Sequence, residues 1–515
     1  WDLTTGMFAT THGGKLASAF GSYGWSGEGV PHMLERLRQL RLRVLEGFRV
    51  RFKPDEQALE DAFAFGRRFA DALRGREEQT AAPKRMVKCL VCGAVFEEGT
   101  ETCPVCGVGP ENFVPAEAAE SAFRKDTDDV FVILGAGAAG VSAAEAIRRR
   151  NATAGIVLIG DEGVLPYNRP MLTKNLLAGL TAEQLAIHDA AWYEENRIFR
   201  VEGRVAALRP AERTVELEDG SRFTYTDCIY ALGASSFVPP IEGADRDGVI
   251  AVRTLQDVER VAARAPQTRD AVVIGGGVLG LEAAWELRKA GCAVTVLEVA
   301  DRIMGRQLDA AAADMLREIA EGQGVCIRTG VQIRSIEGGE RVSGVQLADG
   351  SVLPSQLVLI SCGVRANTAV AAEAGLELGR AVRVNARMET SCSHVYACGD
   401  CAEFEGINYA LWSEATEMGE VAGANAAGEE CRYQTPVLPV TFHGLNTSLY
   451  AIGDAGSLAD KAYRTVEVRD TEKNTLEKWF FRDERLCGGI LLGDTSKMAK
   501  MTEAVLDGRR YQELF

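Results

Sequence analysis

Four cysteines within eighteen residues, Cys89, Cys92, Cys103 and Cys106, have the spacing of a metal site. They form two C-x2-C pairs with ten residues between them, and a glycine (Gly93, Gly107) follows each pair. Thiolates so spaced close a tetrahedral S4 site that suits zinc or a single iron. The glycines let the backbone turn so that amides can point at sulfur. The other nine of the thirteen cysteines lie scattered in long segments and read as small buried side chains. One pair among them, Cys398-Gly-Asp-Cys401, is a C-x-x-C by spacing and reads as packing. An odd total in a large acidic chain fits reduced thiols and a cytoplasmic setting.

The second kind of chemistry rests on glycine. Val130-Phe-Val-Ile-Leu runs into Gly135-Ala-Gly137-Ala-Ala139-Gly140, and Ala271-Val-Val-Ile runs into Gly275-Gly-Gly277-Val278-Leu279-Gly280. Each is an apolar strand, a glycine turn and the start of a helix, and the two copies start 140 residues apart. Such a turn lets a pyrophosphate approach backbone N–H groups at the positive end of a helix. An acid about 20 residues further on should accept from a ribose hydroxyl. The first copy offers Asp161-Glu162, with Glu162 22 residues after Gly140; the second offers Glu298, 18 residues after Gly280. A carboxylate there repels a 2′-phosphate, so the second site reads as one for NADH rather than NADPH.

The elements that must position these groups follow from length and pattern. A chain of 515 residues suggests three to four domains. Its 57 Lys+Arg against 73 Asp+Glu give a net charge of −16, which argues against nucleic acid as a partner. No run of 18 apolar residues occurs, so no membrane span is expected. Residues 1–76 read as strand, glycine-rich loop, helix, strand and helix, the C-terminal half of an α/β domain. A polar linker then leads to the cysteine block, 86–116, and a second linker leads to the glycine motifs. The segment 436–515 alternates as short strands and reads as a small α+β domain.

Further segments complete a pattern. They are Val395-Tyr-Ala-Cys-Gly399-Asp400, Leu165-Pro-Tyr-Asn-Arg169-Pro170 with Lys174 beyond it, Tyr230-Ala231-Leu-Gly233, and Ser361-Cys-Gly363-Val-Arg-Ala-Asn367. With them, residues from about 130 to 515 resemble the two-dinucleotide-binding-domain flavoprotein reductases, specifically the NADH:rubredoxin oxidoreductase-like members. The resemblance implies an FAD domain over 129–240 and 357–435, with an NAD domain, 241–356, inserted in it. It implies that FAD is held by Gly135, Gly137, Ala139, Gly140, Glu162, Arg169, Lys174, Ala231, Gly233 and Asp400, the last on the ribityl chain. NADH would meet Gly275, Gly277, Val278, Leu279, Gly280, Glu298 and Gly363. Leu232 departs from the family's Ala-Thr-Gly and removes a hydroxyl there. Hydride chemistry belongs to the cofactors, so no protein general base is expected.

Cys103-Pro-Val-Cys106-Gly, followed by Pro110-Glu-Asn-Phe113, resembles a short rubredoxin domain, which turns the metal expectation to one tetrahedral iron. Phe20-Gly-Ser22-Tyr23-Gly24-Trp25-Ser26-Gly27-Glu28 resembles the FMN-facing loop of the flavodoxin-like domain of flavodiiron proteins. That resemblance implies an FMN contact by Ser22, Tyr23, Gly24 and Trp25 in a longer polypeptide, of which this chain would be the C-terminal part. The five histidines lack H-x-E-x-D-H spacing, so a diiron site would lie elsewhere. The expected fold class is α/β, two Rossmann-like domains preceded by a partial flavodoxin-like piece and a rubredoxin-like knuckle. The expected function is electron transfer from NADH through FAD to iron, then to flavodoxin and diiron domains in cis or trans that reduce O2 or NO; a homo-oligomer is compatible with this. The alternative is a stand-alone NADH oxidase or reductase with a structural zinc ribbon. A non-catalytic assembly module is the third reading, opposed by the intact glycines, Glu298 and Asp400.

Overall fold

The computed structural model describes residues 123–435, 437, 439–456 and 462–515, and separate short stretches between 16 and 115. The chain divides into two compact units, 1–84 and 85–515. In the first, Leu16–Ala17 runs parallel to Arg43–Val44 and Phe20–Tyr23 runs parallel to Phe48–Arg51. Val30 and Leu34, four apart in the intervening helix, pack with Ala19. This is the strand–helix–strand order expected from the sequence. Gly24, Trp25, Cys92 and Cys106 lie outside the described residues, as do the side chains of Ser22 and Tyr23.

The second unit holds two parallel five-stranded sheets of similar design. In the first, Val130–Leu134 is central, flanked by Gly155–Gly160 and by Asp227–Tyr230, with Ile198–Glu202 and Val395–Ala397 at the edges. In the second, Asp270–Ile274 lies between Ala293–Leu297 and Leu357–Ile360, with Val325–Arg328 and Val249–Ala251 outside them. Val130–Leu134 and Leu357–Ile360 are almost continuous apolar runs because helices cover both faces of a parallel sheet. Each domain also carries a three-stranded antiparallel excursion, 205–224 and 333–354.

One domain boundary differs from the expectation. Residues 357–360 belong to the inserted domain, because they pair with both Val249–Ala251 and Asp270–Ile274. The chain returns at Val364–Ala366, which pairs with Ala234–Ser236 and closes the connection between the domains. Residues from Pro439 build a five-stranded antiparallel sheet backed by the helix Met498–Leu506. The stretches Met86–Cys89, Val95–Glu97 and Phe113–Pro115 form a three-stranded antiparallel sheet.

Candidate functional site

The three glycines of each motif do three different jobs. Gly135 and Gly275 have φ near +114°, and a Cβ there would collide with the carbonyl oxygens of Ala231 and Ser361. Gly140 and Gly280 let the helix lie on the turn, since a Cβ would strike the carbonyl of Gly135 or Gly275. Gly137 and Gly277 have open space where a Cβ would point. That open space at the N-cap of Ala138–Arg150 and of Val278–Lys289 is where a pyrophosphate could approach the helix N–H groups.

A cavity of about 1670 Å³ runs from the first glycine turn to the second glycine helix. It exceeds the ~300–1,000 Å³ of a usual ligand site, as befits a place where two cofactors meet. Of the expected residues it gathers Gly135, Gly137, Ala139, Glu162, Arg169, Lys174, Ala231, Gly233 and Asp400, with Val278 and Leu279 from the second motif. Leu279 is half exposed, an apolar side chain presented to the opening. Gly140, Gly275, Gly277, Gly280, Glu298 and Gly363 do not line it. Gly140 and Gly280 serve packing, and the others lie at the carboxyl ends of the second sheet.

Charge in the cavity is arranged in two clusters. Arg169 donates from Nη2 to Glu162 Oε1 at 2.5 Å and from Nη1 to the Arg253 carbonyl at 2.7 Å. Tyr167 donates to Glu162 Oε2 at 2.5 Å and accepts from the Leu255 N–H. Arg253 Nη2 in turn donates to Asp400 Oδ2 at 2.8 Å. Glu162 and Asp400, expected to face ribose and ribityl hydroxyls, are thus held by arginines, with spare lone pairs to accept further bonds. Arg169, Arg253 and Lys174 supply the positive lining that a pyrophosphate needs. The 15-residue helix Trp412–Ala426 brings its first residues, Trp412 and Ser413, to the same wall.

At the other end Lys174 and Thr173 meet the second glycine helix. Thr173 Oγ1 donates to Glu282 Oε2 at 2.7 Å, while Glu282 Oε1 is buried without a partner. Glu282 is 2 % exposed, and burial pushes its carboxyl up to about 7 against the pull of Lys174. An orphaned oxygen in a cavity wall is what a polar ligand, such as a carboxamide, would satisfy. Together with the open faces at Gly137 and Gly277, it shows that the residues present fit FAD and a nicotinamide dinucleotide.

Glu298 accepts from the Gly276 N–H at 2.7 Å and from the Ala300 N–H at 2.9 Å. It braces the turn as well as presenting a carboxylate beside it. Leu232, the departure from the family pattern, offers its carbonyl to Asn367 Nδ2 at 2.8 Å, so the crossover is tied through backbone instead of a hydroxyl. Cys398 and Cys401 are fully buried, and burial holds the Cys401 thiol at about 12 and the Cys398 thiol higher than usual. Neither is a thiolate near neutrality, which agrees with packing rather than redox work.

Sequence reasoning missed Arg253, Thr173, Glu282, Trp412 and Thr441, all of which line the cavity. Glu282 had a signal, as the one acid in the apolar start of its helix, Val278-Leu-Gly-Leu-Glu282-Ala-Ala. Arg253 had only the capping box Thr254…Asp257 beside it, a mark of a helix start and not of a ligand. Of the cysteine site, Cys89 and Cys103 are described and both are buried in one apolar cluster.

The sequence model of the pyridine nucleotide-disulphide oxidoreductases matches residues 129–419, and that of the rubredoxin NAD+ reductase C-terminal domain matches 439–509. The rubredoxin–NAD(+) reductase of Pseudomonas putida is 34 % identical over 274 residues, covering 53 % of this chain and 71 % of that protein. A nitrite reductase [NAD(P)H] of Bacillus subtilis is 34 % identical over 369 residues, 71 % of this chain, but the chain spans only 46 % of that relative. The crystal structure of NADH:rubredoxin oxidoreductase from Clostridium acetobutylicum matches with a TM-score of 0.64 at 26 % identity, covering 75 % of this chain and 97 % of that one. Glycine turns, acids and the inserted second sheet agree with these matches, and the chain belongs to the pyridine nucleotide-disulphide oxidoreductases.

Proposed function

We propose that this chain is an NADH-dependent FAD oxidoreductase that passes electrons to an iron held by Cys89, Cys92, Cys103 and Cys106. In a longer polypeptide, or with partner domains, they would go on to FMN and a diiron centre that reduces O2 or NO. The observation that carries the reading is the single cavity joining Gly137 to Leu279, with Thr173, Lys174 and Glu282 at the junction. FAD, when bound, supplies a carrier that takes two electrons from a hydride donor and can release them one at a time. The chain's own residues bind and orient. Arg169 and Arg253 neutralise phosphate charge, Asp400 accepts from hydroxyls, and Leu279 with Val278 offers an apolar face to a nicotinamide ring. Glu282, protonated over much of the range below pH 7, can donate to a carboxamide oxygen from a dry wall.

The four-thiolate donor set suits iron as well as zinc, and the likeness to rubredoxin favours iron. An absorption spectrum of the purified protein tests the whole reading. Flavin and ferric-thiolate bands that both bleach with NADH are the expected result. A colourless knuckle that holds zinc by metal analysis, with the flavin still bleached, would replace the relay with a stand-alone reductase.

A further inference from the structure

The face of the C-terminal sheet that carries Tyr450 and Ile452 meets the cavity only at its edge strand, and both residues are buried. Along Thr447–Gly453, Leu449 and Ala451 join the core shared with the NAD domain, while Tyr450 and Ile452 point the other way. Trp479, from the strand Thr475–Arg482, joins that outer cluster, and Tyr450 and Trp479 are at most 1 % exposed. The helix Met498–Leu506 covers part of this face. The same cluster continues into Cys89, Phe96 and Cys103 of the knuckle. Cys89 is 0 % and Cys103 2 % exposed. The described residues of the cysteine segment therefore pack in one apolar cluster with this face.

That face adjoins the cavity through one strand. Pro439–Gly444 is the edge strand of the sheet, and its Pro439, Val440 and Thr441 line the cavity. Its register sets Thr441 opposite Tyr450 and Pro439 opposite Ile452. Opposed residues have Cα atoms about 5 Å apart, so Tyr450 and Ile452 lie one strand in from the cavity wall.

We propose that the outer face of the C-terminal sheet is a fixed berth for the cysteine knuckle. Electrons leave the flavin cavity through the sheet edge at Thr441 and Tyr450, and no carrier swings between two positions. The proposal rests on the function proposed above. Oxidation of one NADH to NAD+ releases one proton and two electrons. Each electron reduces the ferric thiolate centre to ferrous once, and a one-electron acceptor outside the chain reoxidises it between the two transfers.

The test mixes the FAD- and iron-loaded full chain with NADH by stopped flow and follows the flavin and ferric-thiolate bands separately, in buffer and in concentrated sucrose. Hydrogen exchange of residues 86–97 is measured on the same samples, with Trp479→Leu as the variant. The berth requires that the ferric band bleach at a rate indifferent to sucrose and to protein concentration. In Trp479→Leu it should slow about tenfold while flavin reduction stays within about twofold, a sign that the reductase remains folded. Exchange protection of 86–97 should fall in the variant. A ferric rate that drops in step with viscosity, or exchange protection indifferent to Trp479→Leu, overturns the berth. Absence of a ferric band in the starting protein would refute the electron relay instead, and the exchange comparison would still decide the berth by itself.

Discussion

Replacing Glu282 with glutamine should make the protein more stable, and only at neutral to alkaline pH. The carboxyl is 2 % exposed, one oxygen accepts from Thr173 and the other has no partner. Burial raises its pKa from 4.5 to about 7, with Lys174 and the Thr173 bond pulling the other way. An acid raised in the folded state binds its proton more tightly there than in the unfolded chain. Its contribution is therefore fully present below pH 4.5 and is lost as pH climbs to about 7, after which the loss is constant. The gap corresponds to about 3 kcal/mol, with the opposing pull of Lys174 and of the Thr173 bond already contained in it. Glutamine keeps the shape, still accepts from Thr173 and never ionises. At about 2–4 °C per kcal/mol, Glu282→Gln should melt roughly 6–12 °C higher than the parent near pH 8, and most of that advantage should vanish near pH 5. Thermal unfolding of the two proteins across this range, followed by intrinsic fluorescence, reads the difference directly. An offset of equal size at both ends of the range, or a variant that melts lower near pH 8, would refute the reasoning.

Three other outcomes follow from the geometry. Gly137→Ala should fold with stability within about 0.5 kcal/mol of the parent, because its Cβ meets open space, yet lose bound FAD on gel filtration; Gly135→Ala, whose Cβ meets the Ala231 carbonyl at φ +114°, should fail to accumulate as folded protein. Glu298→Ala should raise NADPH turnover relative to NADH by about tenfold, a change of about 1.4 kcal/mol in relative transition-state binding, as measured from the two kcat/KM values. Lys478→Met should destabilise by about 2 kcal/mol in thermal unfolding, since Lys478 is 8 % exposed and its ammonium lies between Asp309 at 2.7 Å and Glu467 at 2.8 Å; the partial exposure of both carboxylates keeps the cost below that of a fully buried pair.

The features that sequence reasoning captured are local ones. Two glycine turns after apolar strands and an acid about 20 residues on are set by the geometry of a few consecutive residues, so their spacing is visible along the chain. The strand–helix–strand order of residues 16–51 and the alternating C-terminal strands were legible for the same reason, through hydrophobic periodicity. The boundary at 357 was misplaced because Leu357–Ile360 is an apolar run that would suit either sheet. Its membership is decided by which neighbours accept its hydrogen bonds.

From its sequence alone, then, this protein is a chain with two dinucleotide turns and four cysteines at the spacing of a metal site, with glycines, Glu298 and Asp400 already nameable. Tertiary structure decided which groups act on one another. Arg253 reaches Asp400 across 147 residues and Thr173 reaches Glu282 across 109, pairings that no local pattern encodes. It also decided which glycines face open space and which face a neighbouring carbonyl. The placement of the cysteine sheet against Tyr450 and Trp479 is likewise a matter of burial. A sheet with apolar side chains on both faces must cover both, and only the folded arrangement determines what does so.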